Sequence, residues 1–277
     1  IGYAAGGTAF GIYATGGATG AEVTTSGNID VQGGYVTGIE VQSGGDIVVD
    51  NSGDIVAGSG LNSYYNGTNY YTYYFGTQLA TGINATSNGE GAAVSVTSSG
   101  DISADGIFGA TGIAATSSGT GGSASVDNSG AIYASQNQKY GYGAYGIVTS
   151  ADGDSSIDNS GTIYVYSGGV ANGATALSFA GDASVTNSGD IGVYSAAGLY
   201  YAGTGITAFA ANGNAHVDNS GSVDVAGKYW ATAVSAQAQG DVTVDNSGSL
   251  YADGGKYAFG VYALSNAGDV MVHYDDG

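Results

Sequence analysis

The chain has no proline and no cysteine in 277 residues, and it carries three basic residues against 23 acidic ones. Without cysteine, disulfides cannot stabilise the fold and thiol chemistry is excluded. Proline lacks a backbone N–H, so its absence fits a fold in which most N–H groups donate to neighbouring strands. The net charge of −20 argues against nucleic acid and anionic lipid as partners, because phosphate groups are bound by lysine and arginine.

Long apolar runs and a start methionine are also missing. No stretch is long and apolar enough to span a bilayer, so we expect no membrane insertion. The sequence begins at Ile1, which is compatible with a processed subunit and with a piece of a longer chain. Glycine is abundant, at 53 residues. Because flexible linkers usually contain proline as well, this glycine indicates turns.

A short pattern, Val-Asp-Asn-Ser-Gly followed by alternating residues, recurs eight times, as at residues 217–225. Asn and Gly favour a sharp turn, and the flanking residues alternate with the period of a strand. The turns lie 26 to 47 residues apart, a period typical of a solenoid in which each coil packs on the next. The turn glycines are Gly27, Gly53, Gly100, Gly130, Gly161, Gly189, Gly221 and Gly248.

A second motif, Gly-Ile or its equivalent, lies between the turns and brings each repeat to three short strands. Stacked coils would place Ile and Val in inward columns about 4.8 Å apart, and we assign Leu177 to the Gly-Ile column. The sequence thus predicts an all-β, right-handed parallel β-helix of about nine coils, three short strands per coil, on the order of 40 Å long. We expect one domain over residues 1–277, with a tyrosine-rich insertion at 61–76 that forms a hairpin or extended loop.

Asparagine recurs at the corner of most coils. Amide side chains stacked at the strand spacing can hydrogen-bond along the rod, which predicts a structural ladder; simple turn formation is the alternative. Thr25 and Ser98 replace Asn in two coils, where we expect the ladder to break. Its predicted members are Asn51, Asn128, Asn159, Asn187, Asn219 and Asn246.

Aromatic residues are concentrated between the third strand of one coil and the Gly-Ile of the next. They should therefore line up along one edge of the rod, either as packing over a corner or as an exposed stripe that binds a partner. The predicted edge comprises Tyr64, Tyr65, Tyr70, Tyr71, Tyr73, Tyr74, Phe75, Tyr140, Tyr142, Tyr200, Tyr201, Tyr229, Trp230 and Tyr257.

Catalytic and cofactor sites are not indicated, and we expect a protein that is not an enzyme and needs no cofactor. The Gly-x-Gly-x-x-Gly at residues 141–146 leads into a strand, not a helix, so it does not predict a dinucleotide site. Aspartates that share a position in successive coils could hold Ca²⁺, which would relieve their repulsion. We favour solvated side chains and no metal. The weak candidates are Asp127, Asp158, Asp218 and Asp245.

The repeated Val-Asp-Asn-Ser-Gly-x-Ile, with Gly-Ile-x-Ala between copies, resembles the parallel β-helix passenger region of bacterial autotransporters and related secreted adhesins. The resemblance covers residues 11–272 and implies an extracellular or cell-surface location and an adhesive role, as in biofilms. We expect a structural solenoid that self-associates end to end into fibres. The alternative is a monomeric rod whose tyrosine-rich edge binds glycans or host surfaces. A β-helix carbohydrate-active enzyme would need clustered acids with a basic residue, and the chain has only three lysines.

Overall fold

In the computed structural model of the chain, residues 2–58, 62–65, 70–73, 77–138, 141–196 and 202–275 are described, and they contain 27 strands and no helix. None of these residues therefore lies in a helix that could cross a membrane. The strands form two large parallel sheets and one small antiparallel hairpin.

The first large sheet, here the Asp-Asn sheet, contains the strands that lead into the Asn-Ser-Gly turn. All nine of its described strands are parallel, and they are ordered along the rod as they are along the chain. They are β2 (Ala21–Thr25), β4 (Ile47–Asn51), β9 (Ala93–Ser98), β12 (Ser123–Asn128), β15 (Ser155–Asn159), β18 (Ala183–Asn187), β21 (Ala215–Asn219), β24 (Val242–Asn246) and β27 (Val270–Tyr274).

The second large sheet has sixteen strands and consists of two stacks. The Gly-Ile stack comprises β1 (Gly2–Gly16), β3 (Ile29–Ser43), β8 (Leu79–Ser87), β11 (Gly109–Ser117), β14 (Gly143–Ala151), β17 (Ala171–Ser178), β20 (Ala202–Ala210), β23 (Trp230–Ala238) and β26 (Tyr257–Ser265). The post-turn stack comprises β5 (Ile55–Gly58), β10 (Ile102–Gly106), β13 (Ile132–Gln136), β16 (Ile163–Ser167), β19 (Asp190–Ser195), β22 (Ser222–Gly227) and β25 (Ser249–Gly254). The long strand β3 belongs to both stacks and joins them.

Each coil thus contributes one strand to each of three faces, and the nine strands of the Asp-Asn sheet span eight coil-to-coil steps. The predicted all-β, parallel β-solenoid with three strands per coil is confirmed. Its core lies between the three faces and consists of buried Ile, Val and Ala, which the alternating burial of every inner strand places on one side. Ile163, for example, pairs with Ile132 and Ile191 and is 0 % exposed.

One residue assigned to the core from sequence was wrong. Leu177 pairs with Ser150 and Phe209 on the outer face and is only half-buried, whereas Ala174 occupies the place between Ile147 and Ile206. The Gly-Ile motif of this coil is therefore Gly173-Ala174. The glycine, not the larger leucine side chain, marks the register of this coil.

Most coils have glycine at this position because the chain there lies close to two other coil segments, and one coil has Ala233 instead. A Cβ on Gly112 would lie 2.3 Å from Ile132 Cγ2 and 2.5 Å from the carbonyl oxygen of Gly146. Both distances are far inside van der Waals contact, so no larger residue fits without moving the backbone.

Asparagine amides run along the corner of the solenoid inside the Asn-Ser-Gly turns. Each of the six donates Nδ2–H to the carbonyl oxygen of the glycine two residues later. From Asn128 to Asn219, each Nδ2 also donates to the Oδ1 of the asparagine in the next coil at 2.7–2.8 Å, and Asn246 is the last acceptor. Asn51 Nδ2 donates instead to the hydroxyl oxygen of Ser98, at 3.2 Å.

The two substituted corners leave two buried oxygens without a partner. Asn128 Oδ1 faces the coil of Ser98, and Asn51 Oδ1 faces the coil of Thr25, neither of which offers an amide donor. The interruptions of the ladder therefore coincide with Ser98 and Thr25, as their side-chain chemistry requires.

The insertion at 61–76 contains an antiparallel hairpin. Strand β6 (Asn62–Tyr65) pairs with β7 (Tyr70–Tyr73), with Tyr64 opposite Tyr71 and Tyr65 opposite Tyr70. The hairpin lies between β5 and β8, so it leaves the solenoid at the corner that joins the post-turn and Gly-Ile stacks.

Candidate binding surface

The tyrosine-rich edge predicted from sequence is partly described by the structure. Nine of its fourteen residues are in described segments, and five of those nine, Tyr64, Tyr65, Tyr70, Tyr71 and Tyr73, are in the strands of the hairpin. Tyr142, Tyr229, Trp230 and Tyr257 lie along the same corner in later coils. The residues outside the described segments are Tyr74, Phe75, Tyr140, Tyr200 and Tyr201.

The last two coils bring five rings together in what we call the aromatic corner, consisting of Tyr229, Trp230, Tyr257, Phe259 and Tyr262. Strand pairing sets Trp230 beside Tyr257, and their ring centroids are 4.7 Å apart. The remaining neighbours are 5.9 to 6.3 Å apart. Trp230 and Tyr257 remain 41 % and 40 % exposed, so the cluster presents aromatic surface to solvent, as interfaces and sugar-binding sites do.

A lysine stands over this corner. Lys256 Nζ donates to Tyr229 Oη at 2.8 Å and lies 5.1 Å from the ring centroids of both Tyr229 and Tyr257. The hydrogen bond to Tyr229 raises the pKa of Lys256, so the ammonium stays charged over the neutral range. The ammonium group is attracted to the faces of these rings. Lys256 therefore places one of the chain's three positive charges at the aromatic corner.

Among the four predicted edge residues whose side-chain exposure the structure describes, Tyr142 is the most exposed, at 77 %. With Tyr145 it borders a shallow groove of about 330 Å³. Leu79, Ala110 and other small or apolar residues form the floor. The groove and the aromatic corner are separate surfaces, because they belong to coils at different heights along the solenoid.

Sequence reasoning missed a second set of tyrosines, on the outer face of the post-turn stack. Tyr133 and Tyr164 pair across neighbouring strands, and their rings are parallel within 3° at 5.4 Å. Tyr194 continues the stack at 5.3 Å from Tyr164. The available signal was the Ile-Tyr dipeptide after two Ser-Gly turns, where the residue after an inward isoleucine must point outward.

The paired aspartates occupy the positions expected from the repeat. Asp127 lies directly opposite Asp158, and Asp218 opposite Asp245, on the exposed face of the Asp-Asn sheet. Within the described part of the chain, no three His, Cys, Asp or Glu side chains come together in a group that could hold a metal ion. Each pair alone offers two carboxylates, fewer ligands than the six to eight oxygens that Ca²⁺ prefers.

Comparison with protein-family models, with curated proteins and with solved structures finds no match for this chain. The architecture therefore rests on strand pairing and on the repeat.

Proposed function

We propose that this chain is a non-enzymatic structural β-solenoid that associates end to end with further copies of itself, outside a bacterial cell or at its surface. The location and the adhesive role follow from the resemblance to autotransporter passengers. The assembly follows from a match between the first and the last coil. Repeat architectures bury their cores by stacking, so a contact that continues the stack adds to the same core.

The observation that carries this proposal is the placement of aromatic residues on the outer face of the Gly-Ile stack. Tyr13 and Tyr262 share one column of nine paired positions, and the seven positions between them hold no aromatic residue. Phe10 and Phe259 occupy the two ends of the adjacent outward column. If coil nine of one copy preceded coil one of the next, Tyr262 would stack on Tyr13 and Phe259 on Phe10.

The inner columns would continue in the same contact. Ile12 lies in the first strand of the Gly-Ile stack and Val261 in the last, and both are only partly buried. Val234, which pairs with Val261 one coil further inside, is 0 % exposed. Val272 of the Asp-Asn sheet is 45 % exposed, while its partner Val244 is 0 % exposed. A second copy would cover this apolar surface and pair the outer backbone groups of β26 and β27.

A pair of double variants tests this register. Tyr13→Glu with Tyr262→Glu would place like charges at about 5 Å, which costs about 1 kcal/mol in water and about 3 kcal/mol at an effective dielectric of 20. Tyr13→Lys with Tyr262→Glu changes the same exposed positions but makes the charges complementary. In sedimentation velocity of the full chain at increasing concentration, we expect the first variant to stay monomeric and the second to assemble. Identical behaviour of the two would contradict the register.

A second candidate function is glycan binding through the aromatic corner, favoured by the exposed rings of Trp230 and Tyr257. Pyranose rings stack on such faces by the same apolar and C–H contacts that draw aromatic residues to interfaces. A glycan array with wild type and Trp230→Ala tests it. Tyr251→Ala is the control, because Tyr251 is 58 % exposed on a different face. Signals that persist in Trp230→Ala would exclude the corner as the site.

A further inference from the structure

A groove on the post-turn face arises from a change of side-chain size in one outward column. Tyr166, Tyr194, Ala226 and Asp253 occupy successive positions of that column. Tyr166 and Asp253 are therefore three strand steps apart, about 14 Å. Between them Ala226 contributes only a methyl group, so the column is interrupted at its height.

The ring of Tyr194 points sideways, away from the line of this column. The neighbouring column has Gly192 at this height, and a Cβ on Gly192 would lie 3.4 Å from Tyr164 and 3.5 Å from Cε2 of Tyr194. The Tyr194 ring thus leans across the glycine towards Tyr164, and its hydroxyl donates to Asp224 Oδ2 at 3.4 Å. Burial and the nearby Asp224 carboxylate raise the pKa of Tyr194, which keeps the hydroxyl protonated as that donor.

The result is a groove of about 440 Å³ with chemically distinct walls. Its lining includes the aromatic residues Tyr166 and Tyr194, the basic residue Lys228 and the acidic residue Asp253, and between them Ala226 and Gly227 add little bulk. The two tyrosines are half-buried, so their positions are fixed by packing before any ligand arrives. This volume lies within the range of small-molecule sites.

The walls indicate what can occupy the groove. Aromatic surface beside a hydrogen-bond acceptor and a donor suits a ring with one apolar face and hydroxyl groups at its edge. The net charge of −20 and the carboxylate of Asp253 disfavour an anionic sugar. We propose that this groove binds a neutral hexopyranose unit of a glycan, with its C–H face on Tyr166 and Tyr194 and its hydroxyls on Asp253 and Lys228.

This inference goes beyond end-to-end assembly. The groove uses none of the residues placed at the end contact, and it differs from the aromatic corner. It therefore applies to a monomeric rod as well as to a fibre. Weak binding is expected for a single unit, with a dissociation constant on the order of 1 mM, and repetition of the groove along a fibre would raise the avidity for a polymeric glycan.

The test is saturation-transfer NMR and calorimetry with the methyl glycosides of glucose, galactose, mannose and N-acetylglucosamine, and with cellobiose and lactose. Ala226→Tyr fills the groove with a side chain that the same column already holds at Tyr166. Ser103→Tyr is the matched control, because it adds tyrosine at an outward position of the same stack, away from the groove. Asp253→Asn is a second variant that changes no volume.

We expect at least one neutral sugar to bind to wild type and to Ser103→Tyr. Ala226→Tyr should weaken that binding at least tenfold, and Asp253→Asn should weaken it measurably. Binding should persist in the Tyr13→Glu, Tyr262→Glu variant, so that failure of assembly and failure of the groove are distinguished. The proposal is overturned if none of these sugars binds, or if Ala226→Tyr binds as well as wild type.

Discussion

Replacing Ser98 by asparagine should join the two segments of the amide ladder. Ser98 is 0 % exposed and receives a hydrogen bond from Asn51, but it offers no amide N–H to Asn128 Oδ1 in the next coil. Besides Asn51, five other coils have asparagine at the position equivalent to Ser98, and their turns have the same sequence pattern. Ser98→Asn would supply the missing donor and also a partner for the carbonyl oxygen of Gly100.

The expected size of the effect follows from these two contacts. A net intramolecular hydrogen bond stabilises by about 1 kcal/mol, and pairing a buried acceptor that lacks a partner recovers about 1–3 kcal/mol. The larger side chain must fit a fully buried position, which costs about 1 kcal/mol or more where the packing resists. We expect a net gain of about 1–2 kcal/mol in the free energy of unfolding. For a chain of this size that corresponds to a rise in Tm of about 2–4 °C per kcal/mol.

Thermal and urea unfolding followed by circular dichroism measures the gain, and hydrogen exchange of β9 and β12 locates it. Ser99→Asn is the control, because the same substitution one residue later falls on an exposed side chain and should change little. Asn159→Ser creates a new interruption and should lose about 1–3 kcal/mol. The reasoning is refuted if Ser98→Asn is no more stable than Ser99→Asn, or if Asn159→Ser unfolds like wild type.

Three further predictions concern the core, the aspartate pairs and one perturbed carboxyl. Ile163→Asp should lose several kcal/mol by burying an unpaired charge, and equal Tm values for it and the exposed control Thr162→Asp would show that the inward face is wrong. Ca²⁺ should stabilise no more than other salts at equal ionic strength, because screening alone relieves the repulsion, and EDTA should have no effect; stoichiometric Ca²⁺ binding by calorimetry, abolished in Asp127→Asn with Asp158→Asn, would contradict this. Burial raises the pKa of Asp105, so its ionisation costs folding free energy at neutral pH: Asp105→Asn should raise Tm at pH 7, and the difference should shrink as the pH falls through that raised pKa and be lost below about pH 4, the ordinary pKa of an unfolded aspartate. A lower Tm of Asp105→Asn at pH 7 would mean that the carboxylate's hydrogen bonds outweigh its desolvation.

Much of the fold is predictable because each repeat has nearly the same turn residues and the same alternation of inward and outward side chains. Ile163 could be placed inside from its own repeat, since strand period and turn chemistry fix which side faces the core. Equivalent residues of other repeats then gave the register across the chain. Leu177 was assigned wrongly because its coil has Ala174 at the inward position. The larger hydrophobic side chain of that strand, Leu177, lies on the outer face.

The surface could be predicted only in part. The position of Trp230 and Tyr257 at one corner follows from the repeat, but the contact of Lys256 with their neighbour Tyr229 depends on rotamers. The groove beside Tyr194 depends on Gly192, which lets a ring lean out of its column. Side-chain direction of this kind is set by neighbours one coil away, about 30 residues distant in the chain, and no local pattern encodes it.

Cryo-electron microscopy of the concentrated full chain tests the central claim most directly. End-to-end association predicts unbranched fibres whose subunits repeat every nine coils, about 43 Å, with continuous strand stacking at about 4.8 Å across the junction. Tyr262 of one subunit should lie over Tyr13 of the next. Isolated rods at every concentration, or fibres whose junctions do not bring Tyr262 and Tyr13 together, would contradict the account.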